Sequence, residues 1–502
     1  MLNQPSSSLA TTRAPLSFQT DARLPANKPY GYLADLHIHS KYAQGTSSNL
    51  DLATLETYAR FKGVDLLGTG DFTHPLWNKE LKAQLVDKGT GIYYTKTGFP
   101  FLLQTELSFA YSQGGKGRRV HLVVLAPTFA AVDKITDYLL QHGRVDYDGR
   151  PIFNISCRDF AAAMQRIDND IEIIPAHIWT PWFGLFGSKS GFDSLQEAFL
   201  DKTECIHAIE TGLSSDPPMN WRIAELDQYQ IVSFSDLHSY WPWRMSREAT
   251  LFADISSYHA VLASLRTGQG LLGTIEVDPA YGKYHWDGHA DCKVRLTPQQ
   301  SKANHCLCPV CKKPLTIGVE YRVEELATRP VGYIPPSAKP FFTLLPLSDI
   351  LAAYFGSAPS SKKVWSCYYQ LVAGSNEYEV LLSMPQEELA KRSNAEIARA
   401  ILQNREGAIA VDPGYDGVYG VPLLFGQTAP VDALHSSPSV SAQEEQITTS
   451  QSHVQKGMLE PSLSGPSTEK SAATSQPRKK HHGKKNFGQL KPSQASLSPF
   501  FE

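Results

Sequence analysis

The chain has 502 residues, 42% hydrophobic and 19% charged, with a formal net charge of −3. That length predicts roughly three units at ~150 residues each, and the low charge predicts a folded part beside a polar, uncharged part. Near-neutrality excludes a global basic field, so any nucleic-acid contact has to use local patches. No apolar run approaches the ~18 residues of a membrane span, and the N-terminus lacks an apolar signal-peptide core.

Residues 1–30, rich in Ser, Thr, Pro and Ala, read as a flexible arm. From Gly31, seven short apolar runs are predicted as strands: YLADLHIH, VDLLGTGD, FPFLLQTELSF, RRVHLVVLAP, IEIIPAHIW, CIHAIETG and YQIVSFSDLHS. Helical patterns separate them. Leu52, Leu55, Tyr58 and Ala59 share one face before a stop at Gly63, and Val132, Ile135 and Leu139 share another before Gly143. This alternation predicts an α/β fold with a parallel sheet under covering helices, open or closed, over residues 31–280. Residues 281–330 hold a cysteine cluster. Residues 331–425 form a smaller mixed region, with PQEELAKRSNAEIARAILQNREG predicted as helix and DGVYGVPLLF as a terminal strand. Residues 426–493 contain no Trp or Tyr and a single Phe, and are predicted to be a disordered linker that ends in a basic run.

Six of the seven predicted strands carry metal-ligand side chains, nearly all at their ends: His37 and His39; Asp71 and His74; Glu106; His121, placed earlier in its strand; His177; Asp236 and His238. The exception is CIHAIETG, with His207 and Glu210. In a parallel α/β architecture the carboxyl ends of strands converge on one face. His-x-His and Asp-x-His spacing sends both side chains to the same side of a strand. A lone histidine at a strand end is more often a core residue than a ligand, but nine residues in this setting point to two or three ions. Imidazole with carboxylate suits Zn, Mn or Fe. His142, His207 and His259 lack the setting and are read as structural.

ADLHIHS, GTGDFTH, the Glu106–His121 pair, PAHIW and SFSDLHS resemble the ordered motifs of the polymerase and histidinol phosphatase (PHP) superfamily. That resemblance implies a distorted seven-stranded β/α barrel with a trinuclear centre. His37, His39, Glu106 and Asp236 would hold one ion. Glu106 would bridge to a second held by His121 and His177, and His74 and His238, with Asp71, would hold a third. His37, His39, Glu106, Asp236 and His238 would carry catalysis. The sequence departs from the pattern at Gly45, where many members have a further His, and in the three-residue step from Asp71 to His74. Downstream, PAHIWTPWFGLFGSKSGFDS, IETGLSSDPPMNWR, CPVCKKPLTIGVEYRVEELA and REGAIAVDPGYDGVYG are similar to the endonuclease Q family. The resemblance implies a metal-dependent repair nuclease that nicks DNA 5′ of hypoxanthine, uracil, xanthine and abasic sites, leaving a 3′-hydroxyl and a 5′-phosphate. Two or three divalent ions (Zn, Mn or Mg) would supply hydroxide and neutralise the phosphate. The alternatives are a phosphatase acting on a small phosphorylated substrate and a catalytically silent DNA-binding adaptor.

Seven cysteines, an odd number with three inside residues 306–311, fit a reducing cytoplasm and one metal site better than a disulfide framework. Cys308 and Cys311 form a zinc-ribbon knuckle, and His289 and Cys292 offer the remaining pair for one structural Zn, with Cys306 and His285 as rivals of His289. The aromatic residues Trp179, Trp182, Phe183 and Phe186, and Tyr240, Trp241 and Trp243, flank the predicted metal face. Of these Trp179, Trp182, Phe183 and Trp241, with Arg244 and Arg247, are the candidate substrate contacts. The tip Gln494, Leu497, Phe500 and Phe501 matches a sliding-clamp-binding pattern. The expected partners are damaged DNA and the clamp, for a monomer in the cytoplasm, associated with the nucleoid.

Overall fold

The helix Leu52–Lys62 shows how local chemistry sets the elements. Asp51 caps it by accepting from the Thr54 main-chain N at 2.9 Å. Gly63 ends it in the left-handed region, at φ 94°, where a Cβ would also fall 2.3 Å from Asn376 Oδ1. The buried Leu52, Leu55 and Ala59 face the core, as their spacing predicts. The computed structural model describes residues 24–25 and 28–427, all within one compact unit. The linker, the basic run and the clamp-like tip lie outside the described residues.

The strands are, in chain order, β1 (Tyr32–Asp35), β2 (Leu66–Gly68), β3 (Val86–Asp87), β4 (Ile92–Tyr94), β5 (Pro100–Leu102), β6 (Gln104–Gln113), β7 (Lys116–Leu125), β8 (Ile152–Phe153) and β9 (Glu172–Pro175). They continue with β10 (Ala208–Glu210), β11 (Gln230–Val232), β12 (Ala249–Phe252), β13 (Leu271–Glu276), β14 (Asp287–His289), β15 (Val294–Leu296), β16 (Phe341–Thr343), β17 (Ala410–Asp412) and β18 (Val421–Leu423). The α/β class agrees with the sequence, but the ladders do not close into a barrel. They form an eight-stranded sheet β16-β13-β12-β1-β2-β5-β4-β3, a four-stranded sheet β8-β6-β7-β9 and the pairs β10-β11, β14-β15 and β17-β18. Most of the strands are only two to four residues long. Between sheets the backbone is joined by isolated bridges, Ile38 with Leu237 and Ile173 with Ile206. Even so, Ala34, Leu66, Leu102, Val123, Ile174, Ala208 and Val232, from seven strands of three sheets, share one apolar interior.

The predicted parallelism is only partial. β1–β2, β2–β5 and β10–β11 are parallel. β7 runs antiparallel to both β6 and β9, which explains why His121 lies inside its strand rather than at the end: its neighbour Leu122 pairs with Pro175, at the finish of β9. The run YQIVSFSDLHS is strand only over Gln230–Val232, and farther on Asp236 takes φ 48° and turns the chain. The long C-terminal helix is two, Gln386–Arg392 and Ala395–Arg405, broken where the Asn394 side chain caps the second by accepting from Glu396 and Ile397 N. β18 lies within the predicted terminal strand.

The C-terminal helices form their own apolar cluster around Leu347, Val364, Tyr368 and Ile401. They also reach back to the N-terminal α/β part. Lys62, 1% exposed, donates to Glu377 Oε1 at 2.7 Å and to Pro242 O at 2.9 Å. The Tyr378 hydroxyl donates to Ser246 O. Glu377 also accepts from the Leu347 N and the Tyr368 hydroxyl.

Candidate metal centre

The segments that follow β1, β9 and β11 bring His37 and His39, His177, and Asp236 to one place, where Glu106 of β6 and His121 of β7 meet them. Glu106 sits at the middle. Its Oε2 lies 3.4 Å from His37 Nε2 and 3.1 Å from His39 Nε2. Its Oε1 lies 2.7 Å from His121 Nδ1 and 3.1 Å from His177 Nε2. Asp236 Oδ1 closes the first group at 3.1 Å from His39 Nε2. Two ligand clusters therefore share one carboxylate: His37, His39, Glu106 and Asp236, and Glu106, His121 and His177, the ligand atoms of each within 4.8 Å of one another. The donor sets suit divalent transition ions, and the buried His37 Nε2 has no hydrogen-bond partner, which fits a metal-ligand atom.

Charge follows from the packing. Burial opposes ionisation of Glu106, but His121, Arg150 and His37 beside it hold its pKa well below the carboxylate range. Asp236 is held low against burial by His238, His37 and His39. Burial disfavours protonated His37 and His39, but the surrounding carboxylates raise both well above the imidazole range. His121 is pushed down to about 4 by burial.

Two residues orient the imidazoles. Glu210, at the end of β10, accepts from His37 Nδ1 and from the His177 main-chain N. Asp71 accepts from His39 Nδ1 at 2.9 Å and from Ser40 N and Oγ. A carboxylate on Nδ1 leaves Nε2 as the ligand atom and fixes the ring. Asp71 thus supports His39, and its carboxylate is engaged there. The predicted third group is not assembled: among the described residues no cluster unites Asp71, His74 and His238. His74 stacks on Tyr42 at 4.4 Å, and His238 Nδ1 contacts Asp236 O at 2.8 Å. Sequence reading noted Glu210 but left it outside the ligand set, and missed Arg150, which sits in no motif; its Nη1 donates to Glu106 at 3.0 Å.

Asp71, His177 and Asp236 have φ of 43°, 29° and 48°, which costs energy in non-glycine residues and is held by the surroundings. At His177 the surroundings include Gly212, where a Cβ would lie 2.6 Å from the histidine Cβ.

The rim divides. Trp179 is buried, packs on Phe186 and donates from its indole N to Asn220, so it belongs to the core rather than to substrate. Phe183 packs on His121 at 4.3 Å. Trp241 stacks on Trp243 and packs on Tyr240 and Trp365. Trp182 is exposed beside Tyr284. Arg247 is buried with Nε and Nη1 unpartnered. Arg244 and Lys283 lie over Tyr419 at 5.7 and 5.5 Å. Against the effect of burial, Arg244, Arg247 and Lys283 pull the Tyr419 hydroxyl below its ordinary pKa, the mark of a local positive field.

A second, separate cluster joins His289, Cys292, Cys308 and Cys311. Cys306 instead faces the Tyr321 hydroxyl, and His285 faces Glu320. The apolar core beneath is only Val294, Leu296, Cys308 and Leu315, with Cys292 and Ile317 at its edge. So small a core needs a staple, and the four ligands fit a closed tetrahedral ion.

An α/β scaffold that gathers histidines and carboxylates around a shared glutamate is the arrangement of a metal-dependent phosphoesterase. Within that class the chain is similar in sequence and in fold to endonuclease Q. Residues 346–408 match the family model described as the MJ0043 C-terminal domain. An uncharacterized protein of Methanocaldococcus jannaschii, MJ0043, is 28% identical over 288 residues, 56% of this chain, and the match covers 35% of that protein's length. The crystal structure of PfuEndoQ from Pyrococcus furiosus, described as a novel lesion-specific endonuclease, is 28% identical with a TM-score of 0.69, covering 81% of this chain and 97% of that one. A crystal structure of endonuclease Q in complex with a 27-mer duplex that has an abasic lesion at the active site is 29% identical, with a TM-score of 0.70, covering 81% and 99%.

Proposed function

We propose that the chain is a metal-dependent DNA repair endonuclease that hydrolyses the phosphodiester 5′ of deaminated bases (hypoxanthine, uracil, xanthine) and of abasic sites. The observation that carries this reading is Glu106 shared between two ligand clusters, beside a rim that mixes exposed Trp182 with Arg244, Lys283 and Tyr419. Divalent ions bound there would lower the pKa of water and neutralise a phosphodiester. Glu210 and Asp71 keep the ligand rings in register, and the cationic rim attracts the DNA backbone. The similarity to endonuclease Q supports the lesion class. A nicking assay on duplexes holding one hypoxanthine, uracil, abasic site or ordinary base, with Mn²⁺, tests it. Cleavage of the modified duplexes alone, with 3′-hydroxyl and 5′-phosphate ends, is expected. Equal cleavage of all four, or activity only on small phosphomonoesters, would replace this reading with a general nuclease or a phosphatase, and metal binding without hydrolysis would leave an adaptor.

The same reading assigns one structural Zn to His289, Cys292, Cys308 and Cys311, and two ions to the shared-glutamate centre; a third at His74 and His238 would need those side chains to move. No helix among the described residues is long and apolar enough to cross a membrane. Gln494, Leu497, Phe500 and Phe501 would tether a cytoplasmic, monomeric enzyme to the sliding clamp. A peptide of residues 490–502 titrated against the clamp tests that tether, and absence of a binding isotherm would remove it.

A further inference from the structure

Arg150 belongs to no strand or helix and to no recognised motif, yet its guanidinium enters the middle of the metal centre. Its Nη1 donates to Glu106 Oε2 at 3.0 Å, the same oxygen approached by His37 and His39. The backbone holds it there from both sides. Arg150 N donates to Asp148 Oδ1, and that oxygen also accepts from Gln44 N. Gly149 N donates to Tyr42 O at 3.0 Å. A Cβ on Gly149 would fall 2.4 Å from Asp71 Oδ2, so this segment lies directly against the carboxylate that orients His39. Two residues later Ile152 pairs with Ser108 of β6, the strand of Glu106. The side chain remains 25% exposed and reaches Glu106 from the solvent side.

A fixed cation beside ligands for cations works against metal binding, because like charges a few ångströms apart repel strongly where water is scarce. A structural prop for Glu106 does not need this charge; a hydroxyl or an amide would hold the carboxylate without the repulsion. A guanidinium does offer what a phosphodiester needs, a planar fork of five donors that matches two phosphate oxygens. One donor is engaged on Glu106. If Glu106 serves as an ion ligand, the guanidinium needs another anion, and the substrate phosphate is the anion that arrives.

We propose that Arg150 is a catalytic residue that rests on Glu106 in the free protein and, with substrate bound, donates to a nonbridging oxygen of the scissile phosphate, stabilising the charge that builds there during hydrolysis. The inference rests on the phosphodiesterase reading above and adds a residue that no motif supplied.

The test uses the full chain with Arg150→Ala and Arg150→Lys. Metal affinity is read by titrating metal-stripped protein with Zn²⁺ against a chromophoric chelator. Hydrolysis is read as kcat and KM for bis(p-nitrophenyl) phosphate and for a hypoxanthine duplex. R150A should bind Zn²⁺ more tightly, by about 3-fold or more, since a repelling charge has gone. Its kcat should fall about 100-fold, as when one transition-state donor is lost, and added guanidinium should restore part of it. R150K keeps the charge without the fork, so its Zn²⁺ affinity should stay near wild type while kcat still falls. Weaker Zn²⁺ binding in R150A would make Arg150 a support for Glu106 and overturn the proposal, as would an unchanged kcat in both variants. Bis(p-nitrophenyl) phosphate carries no base, so loss of its hydrolysis supports Arg150 even if the wild type proves indifferent to lesions.

Discussion

Glu210 grips His37 through Nδ1, at 2.9 Å to Oε1 and 3.0 Å to Oε2, and with Oε2 it also accepts from the His177 main-chain N at 2.7 Å. One buried carboxylate thus sets the position of a ligand in each of the two clusters. Because a carboxylate only accepts, Nδ1 of His37 carries the proton and Nε2 is left to face the centre.

Glu210→Gln should therefore lower metal affinity 10- to 100-fold while the fold persists, the usual loss when a partner behind a ligand is changed. Chelator competition measures the affinity and thermal melting the fold. Wild-type affinity in the variant would show that His37 is aligned by its packing alone.

Asp236→Asn should abolish nicking. Asn is the apt replacement because residue 236 sits at φ 48°, which Asn tolerates better than Ala. Loss of a charged ligand should remove several kcal/mol of transition-state stabilisation. A variant with one metal fewer and no activity is expected; near wild-type rates would strip Asp236 of its role.

Cys308→Ser with Cys311→Ser should release one zinc per chain and loosen residues 287–317, because the apolar core there is too small to hold them. The histidine–carboxylate centre should keep its metal. Zinc content by emission spectroscopy decides, and an unchanged stoichiometry would reject the cysteine site.

Glu276 supplies a pH test away from the metal. Burial pushes its pKa up to about 8, against the lowering effect of Thr274, Ser233 and Thr211. The folded state thus holds a proton that the unfolded state releases above the ordinary value of 4.5, so this residue's contribution to stability falls as pH rises from about 4.5 to 8. Glu276→Gln, permanently neutral, should melt higher than wild type at pH 9 and close to it at pH 5. Parallel melting curves from pH 5 to 9 would show that Glu276 is ionised throughout.

Much of the centre was legible because strand–helix alternation and x-separated ligand pairs survive in a linear reading. His37, His39, Glu106, His121, His177 and Asp236 came from that pattern, and the structure brings them together. What the pattern hid has physical causes. Asp71 reads as a ligand because Asp and His are interchangeable as metal donors in sequence, while its role behind His39 depends on a tertiary hydrogen bond. Glu210 was noted without a role and Arg150 was not noted at all, because a hydrogen bond to His37 and one to Glu106, rather than a motif, define what they do. Trp179 looked like a stacking platform because nothing local announces that Asn220 satisfies its indole N–H. The antiparallel course of β7 could not be foreseen either, since the apolar runs of its hairpin look the same in either orientation.

The ion pair between Lys62 and Glu377 bears on which parts of this chain can be exchanged. Lys62 belongs to the first helix and Glu377 to the C-terminal bundle, and both are sealed from water. A bundle that lacked Glu377 but still covered Lys62 would leave a buried ammonium facing Pro242 with no counter-ion, and removing one member of a buried pair costs roughly 3–5 kcal/mol. The catalytic half is therefore not a portable cassette. A recombinant that swaps the bundle for one without an acid at this position must change position 62 at the same time.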